Sequence, residues 1–199
     1  MKKIIIIVSL IAFFGGLIAA QQYFTKRSLP TSKQIPIAGK EFGGPFTLKP
    51  EGGEAVSLSD FKGKVVVIYF GFASCPDVCP TSLAIIGSAM KSLSEDEVAD
   101  VQGLFISLDP ERDTEEKLQQ YAAYFHKNFK GITGTPEQLQ KVTRQYGTYF
   151  TKVAGSSELN YLIDHTSVTF IVGREGKFAA SKSHGATAEQ ITEAIRSAL

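Results

Sequence analysis

Apolar, β-branched strands that alternate with helices, and a chain that closes as a hairpin plus a helix, predict an α/β fold of the thioredoxin-like type. A cysteine-proline motif standing directly after the first buried strand agrees with this, because α/β folds place their sites at the carboxyl ends of central strands. The expected architecture is a three-layer sandwich with an added N-terminal β-hairpin, preceded by one transmembrane helix.

The elements follow in chain order. Residues 4–20, IIIIVSLIAFFGGLIAA, carry no charge and follow Lys2 and Lys3. As a helix they would span roughly 26 Å, near the lower limit for crossing a bilayer. A cleaved signal peptide would need small residues at −3 and −1, yet cutting after Ala20 or Ala19 puts Ile18 or Leu17 at −3. An uncleaved anchor over residues 1–20 is therefore expected, with a signal peptide as the alternative. The basic start favours an N-in orientation, although Lys26, Arg27 and Lys33 beyond the span oppose it. The rest of the chain is then expected outside the bacterial cytoplasmic membrane. Residues 21–40 lack a sustained period and contain Pro30 and Pro36, which reads as a flexible tether. Residues 41–199 form the folded domain.

Within that domain, residues 45–58 read as a hairpin, with Phe46 and Leu48 alternating with polar residues before Gly52-Gly53. KVVVIYFGF, 64–72, is a continuous apolar run suited to a central strand buried on both faces. Residues 83–93 read as a helix and 101–108 as a second strand. Asp113 and Glu116 have capping-box spacing, which predicts a helix from Thr114. PEQLQKVTRQYG, 136–147, is a third helix. Residues 167–172 and 177–183 flank Arg174-Glu175-Gly176 as a hairpin, and the terminal helix aligns Ala188, Ile191, Ile195 and Leu199.

Composition excludes one class of function. Twenty-one basic against 20 acidic residues leave a net charge near +1, which gives no field to attract nucleic acid. Both cysteines lie in FASCPDVCPTSL, 72–83, as Cys75 and Cys79. A Cys75–Cys79 disulfide would close a loop of about five residues and stabilise by roughly 2 kcal/mol or less, which a well-cored domain does not need. Near a helix N-terminus, free N–H groups and the dipole favour the thiolate, which is both the nucleophile and the metal-binding form. On helical backbone the i, i+4 spacing would put both sulfurs on one face.

Structural zinc calls for four ligands, hard to assemble from two cysteines and three histidines. Copper suits the set better, since Cu(I) takes thiolates and Cu(II) accepts imidazole beside thiolate. His165, in YLIDHTSVTF just before an apolar strand, is the expected third donor. Its loop is expected to be mobile without metal, because it must cross a gap to the cysteines. Asp77, between the cysteines, and Asp164, beside His165, are candidates to orient or tune the site. His126 is expected to be solvated at a helix end, and His184 to lie in a loop.

The stretches GGPFTL (43–48), DFKGKVVVIYFGFASCPDVCPTSL (60–83), ISLDPERDT (106–114) and YLIDHTSVTFIV (161–172) together resemble the Sco family, also called SenC or PrrC. The resemblance covers about residues 41–199. It implies a membrane-tethered thioredoxin-fold copper chaperone, with Cys75, Cys79 and His165 holding one Cu(I) or Cu(II). The implied acceptor is the binuclear copper centre of cytochrome c oxidase subunit II, served by an upstream copper donor and a thiol reductant. Asp109, Pro110, Arg112 and Asp113 match a further family signature with no evident physical role beyond starting the helix. The alternative function is a thiol–disulfide oxidoreductase that reduces the oxidase copper-site cysteines, or a redox sensor. A peroxiredoxin-like peroxidase is disfavoured, because Phe72 replaces the threonine that such a site needs.

Overall fold

The central sheet of the computed structural model has five strands, and every residue of its middle strand is buried. The structure describes residues 42–157 and 160–199, so the expected anchor (1–20) and tether (21–40) lie outside the described residues. Among the described residues, no helix is long and apolar enough to cross a membrane.

The N-terminal hairpin pairs β1 (Thr47–Leu48) with β2 (Val56–Ser57), then gives way to a 3-10 turn at Leu58–Phe61. The central strand β3 (Val65–Gly71) reads VVVIYFG, and helix α1 (Val78–Lys91) follows it. A short helix α2 (Glu95–Ala99), capped by Ser94, leads into β4 (Val101–Ser107). Helix α3 (Glu115–Phe125), strand β5 (Phe129–Ile132) and helix α4 (Pro136–Gln145) come next. An antiparallel pair, β6 (Phe150–Ser157) and β7 (Asn160–His165), precedes β8 (Val168–Val172) and β9 (Phe178–Ser183). Helix α5 (Ala188–Arg196) closes the domain.

The sheet order is β5-β4-β3-β8-β9. Strands β5, β4 and β3 run parallel, and β8 runs antiparallel to both of its neighbours, β3 and β9, so the sheet is mixed. Helices α1, α3 and α5 cover one face: Phe105 of β4 meets Tyr121 of α3, and Thr192 of α5 donates to the Ala89 carbonyl of α1. On the other face, Tyr146 just after α4 packs against Phe46, Phe70 and Phe170. The core thus sits on both sides of β3. Each large apolar side chain removed from water there contributes about 1.5–3 kcal/mol, which explains why this strand is apolar without alternation.

The thioredoxin-like α/β fold and the added hairpin match the expectation, and five details correct it. Helix α1 starts at Val78, five residues before the expected start. The apolar period begins only at Leu83, and the first turn is made of the CPDVCP residues. Thr114, not Asp113, caps α3, accepting the Lys117 N–H, because the Asp113 carboxylate is used elsewhere. Strand β5 and the β6–β7 hairpin were missed in the sequence. His126 is buried at 8 % exposure rather than solvated, and its Nδ1 accepts the Asn128 N–H. His165 ends a strand rather than sitting in a loop.

Candidate functional site

After β3 the chain turns sharply. The Cys75 N–H donates to the Phe72 carbonyl at 3.2 Å, and the backbone then enters α1 at Val78. Cys75 therefore precedes the helix and Cys79 lies in its first turn, instead of both standing on helical backbone. The Cys79 N–H, one of the free donors at the helix start, points at the Cys75 sulfur at 3.5 Å. Cys79 is fully buried, whereas Cys75 is partly exposed. The two are reduced.

Their acidities part in opposite directions. The Cys79 thiol donates to Cys75 and holds the Cys75 pKa down to about 5, against the opposing effect of burial. The N–H groups of Asp77 and Cys79, and then His165, add to the lowering. The same hydrogen bond, with burial, pushes Cys79 far above the usual thiol range. The pair thus holds one proton on Cys79, and Cys75 is the thiolate. Gly71 is required beneath it, since a Cβ there would stand 2.7 Å from the Cys79 sulfur.

His165 reaches the cysteines because β8 pairs antiparallel with β3, with Tyr69 opposite Thr169. The end of β3 and the entrance of β8 therefore share one edge of the sheet. The hairpin mouth is fixed by Thr166 N–H donating to the Tyr149 carbonyl at 2.9 Å, and by Tyr149 N–H donating to the Thr166 hydroxyl at 3.1 Å. His165 Nδ1 donates to the Thr166 carbonyl at 3.3 Å, which turns Nε2 toward Cys79 Sγ at 3.4 Å. Tyr69 and Phe72 meet the imidazole edge-on, with centroids 6.3 and 6.1 Å away. The gap expected between histidine and thiols is absent.

The donor geometry is close to what one ion would need. A sulfur and a nitrogen bound at about 2.3 and 2.0 Å in a tetrahedral site stand about 3.5 Å apart. Cys79 and His165 are already at that spacing. Among the described residues, no group of three His, Cys, Asp or Glu side chains is gathered as a finished metal cage. The Cys75–Cys79 pair is hydrogen-bonded to itself rather than opened around a centre.

The other sequence candidates fall outside this contact. Asp77 is exposed at the N-cap of α1, its carboxylate accepting the Thr81 hydroxyl at 3.5 Å. Asp164 pairs with Thr151 across the hairpin and is exposed, on the opposite side of the strand from His165 and buried Ile163. His184 is exposed, with Nδ1 3.2 Å from the Ser82 hydroxyl of α1. Tyr69 and Gly71 were missed as site residues because in the sequence they read only as strand, and Phe72 was read only as a departure from a peroxidase site, not as a partner of His165. Arg112, which the sequence marked only as part of a signature with no role, and Tyr161, which it did not mark, stack with the guanidinium 3.7 Å from the ring centroid.

Comparison with known proteins gives one consistent answer. A family model described as SCO1/SenC matches residues 35–199. The SCO2-like protein RP587 of Rickettsia prowazekii is 35% identical over 203 residues, covering 98% of this chain and 95% of that protein. The structure of Bradyrhizobium japonicum ScoI with copper bound is 35% identical with a TM-score of 0.70, covering 79% of this chain and 99% of that one. BsSco, described as a member of the Sco family of cytochrome c oxidase assembly proteins with a disulfide switch, is 26% identical with a TM-score of 0.60, covering 79% of this chain and 94% of that one.

Proposed function

The chain belongs to the SCO1/SenC family, and from that premise we propose that it is a copper metallochaperone. Copper is its cargo, and Cys75, Cys79 and His165 are the ligands. The observation that carries this reading is the 3.4 Å approach of His165 Nε2 to Cys79 Sγ, beside a cysteine already held as thiolate. Two thiolates suffice for Cu(I), and the imidazole adds the harder donor that Cu(II) accepts. Loading at Cys79 displaces its proton. The acceptor in this reading is the binuclear copper centre of cytochrome c oxidase subunit II. An N-terminal anchor in the bacterial cytoplasmic membrane would hold the domain on the outer side, near that acceptor.

Copper titration of the reduced full chain, with metal analysis, tests the proposal. One copper per chain is expected, with a sulfur-to-copper charge-transfer band for Cu(II). The His165→Ala variant is expected to lose tight Cu(II) binding while both thiols stay titratable. Cys75→Ala or Cys79→Ala should each abolish tight Cu(I) binding. Unchanged affinities in all three variants would refute the site.

The arrangement of the thiols supports a second reading as a thiol–disulfide oxidoreductase. The partly exposed Cys75 thiolate would attack a target disulfide and release one target thiolate. Cys79 would then give up its proton and attack the mixed disulfide, releasing the second. Two electrons pass from the dithiol to the target, and a Cys75–Cys79 disulfide remains. That disulfide and bound copper exclude each other, so one chain can alternate between the two activities.

A further inference from the structure

The Asp109–Asp113 stretch lies outside the thiol–imidazole contact, yet its charged side chains reach both halves of the site. Asp113 is buried at 1 % exposure, and its Oδ2 accepts the Ala73 N–H at 2.8 Å, two residues before Cys75. Lys117 donates to Asp113 Oδ1 at 2.8 Å and to the Ser74 hydroxyl at 3.2 Å, so the cysteine loop is gripped at two consecutive residues. Asp109, fully buried, faces the other way. It accepts Arg112 Nε at 2.5 Å and the Tyr161 hydroxyl at 2.6 Å. Arg112 also donates Nη1 to the Tyr161 carbonyl at 3.0 Å and sits over the Tyr161 ring, 3.7 Å from its centroid. Tyr161 stands four residues before His165 on β7. Glu111 adds an exposed ion pair to Lys152 of β6 at 2.6 Å.

Ser107, fully buried at the end of β4, joins the two sets. Its hydroxyl donates to Asp113 at 2.6 Å and accepts the Asp109 N–H at 3.1 Å. Phe72 completes the circuit, lying between the Arg112 guanidinium at 5.9 Å and the His165 ring at 6.1 Å. Buried carboxylates are kept only where they are paired and hydrogen-bonded. Here the pairing partners belong to the two segments that carry the donor atoms.

We infer that Asp109–Asp113 is a two-armed clamp that sets the distance between the cysteine loop and His165. The Asp113–Lys117 arm fixes the thiols, and the Asp109–Arg112–Tyr161 arm fixes the imidazole. These are positioning residues. The clamp's consequence for copper rests on the reading of Cys75, Cys79 and His165 as one site, whereas its grip on the metal-free protein does not.

Amide hydrogen exchange and copper titration on the full chain test this together. In reduced, metal-free protein, Arg112→Met should speed exchange of the Ile163–Thr166 amides about tenfold, the worth of one charge-assisted hydrogen bond, and leave Ala73–Cys75 within about twofold. Asp113→Asn should do the reverse. Tyr161→Phe keeps the stacked ring and loses only the hydroxyl's contacts with Asp109 and Glu111, so it should act as a milder Arg112→Met, and it serves if the other variants fail to fold. On copper addition, Arg112→Met should lower Cu(II) affinity about tenfold and shift the charge-transfer band, with Cu(I) affinity changed less than about threefold. Exchange unchanged in both segments, or raised evenly through the domain with equal loss of Cu(I) and Cu(II), overturns the clamp. Arm-specific exchange in a protein whose wild type takes no copper upholds the clamp and refutes the copper reading instead.

Discussion

Alkylation of the reduced protein across pH is a direct probe of the site, because the two thiols are predicted to differ in acidity and in access. The Cys79 thiol, the N–H groups of Asp77 and Cys79, and His165 hold Cys75 near pKa 5, while Cys79 is pushed well above an ordinary thiol and is fully buried. At pH 5.5 a thiol with pKa about 5 is about 76 % thiolate, against roughly 0.1 % for an ordinary cysteine of pKa about 8.5. Lower basicity makes each thiolate less nucleophilic, by about 40-fold over 3.5 units at a Brønsted slope near 0.45. The net expectation is that Cys75 reacts roughly 20 times faster than a free cysteine at pH 5.5, with the two nearly equal at pH 7. The sign is set by the lowered value: reactivity is gained on the acid side and stays flat above about pH 6, where an ordinary thiol still rises tenfold per unit. Iodoacetamide labelling from pH 4 to 9, with mass spectrometry to separate the two adducts, measures this. A Cys75 rate that climbs a decade per unit up to pH 8, or earlier labelling of Cys79, would refute the assignment of the shared proton.

Three further substitutions follow from the packing. Gly71→Ala puts a Cβ 2.7 Å from the Cys79 sulfur and 3.1 Å from Phe105, so it should displace that sulfur, weaken Cu(I) binding and cost about 1–3 kcal/mol; wild-type copper affinity and midpoint would count against the tight fit. Gly131→Ala drives a Cβ to within 2.6 Å of the Leu118 carbonyl carbon in α3, a backbone atom that cannot swing aside. Thermal melting should fall by about 5–10 °C for an overpacking cost of about 2–3 kcal/mol, and an unchanged melting point would show that α3 can shift freely. Burial, then Lys91 and Lys127, lowers the His126 pKa, so the folded state keeps it neutral. The unfolded chain protonates near pH 6.5, so this site's stability is complete above about 6.5 and is lost as pH falls through the lower folded value. Urea midpoints at pH 7.5 and 5.5 should therefore converge in His126→Gln, and an identical acid loss in both proteins would exclude His126 as its source.

What the sequence made legible depended on how local the signal was. VVVIYF could be read as a central strand because burial on both faces leaves no alternation to confuse it, and PEQLQKVTRQYG could be read as α4, whose start the structure shows closed by a Thr135–Gln138 capping box. Strand β5, FKGI, was hidden because it is four residues long and carries a glycine that exists for the close approach of α3. The β6–β7 hairpin was hidden because its outward residues, such as Val153 and Leu162, are apolar and exposed, which blurs the alternation. Cys75, Cys79 and His165 stood out as reactive side chains at the ends of predicted strands. Tyr69 and Phe72 could not, since an aromatic residue in an apolar run carries no mark of the histidine it will touch. The Asp113 spacing misled for a related reason: a capping-box pattern does not reveal that the carboxylate is needed more by Ser107 and Ala73.

The direction of one strand accounts for the site more than any single side chain does. Strand β3 spans seven residues, and a strand of that length is about 20 Å end to end. A βα crossover would deliver the next strand parallel to β3, with its entrance at the far end from the cysteines. His165 would then stand about 20 Å from Cys79, beyond the reach of any rotamer. The β6–β7 hairpin reverses the chain instead and feeds β8 in antiparallel, placing the histidine at the mouth where α1 begins. The same geometry ranks the donors by depth. Cys79 has no exposed surface, whereas Cys75 and His165 keep some, so anything arriving from solvent meets those two first. On the copper reading, exchange would therefore begin at Cys75 or His165 and end at Cys79, and on the oxidoreductase reading attack on a target disulfide would begin at Cys75.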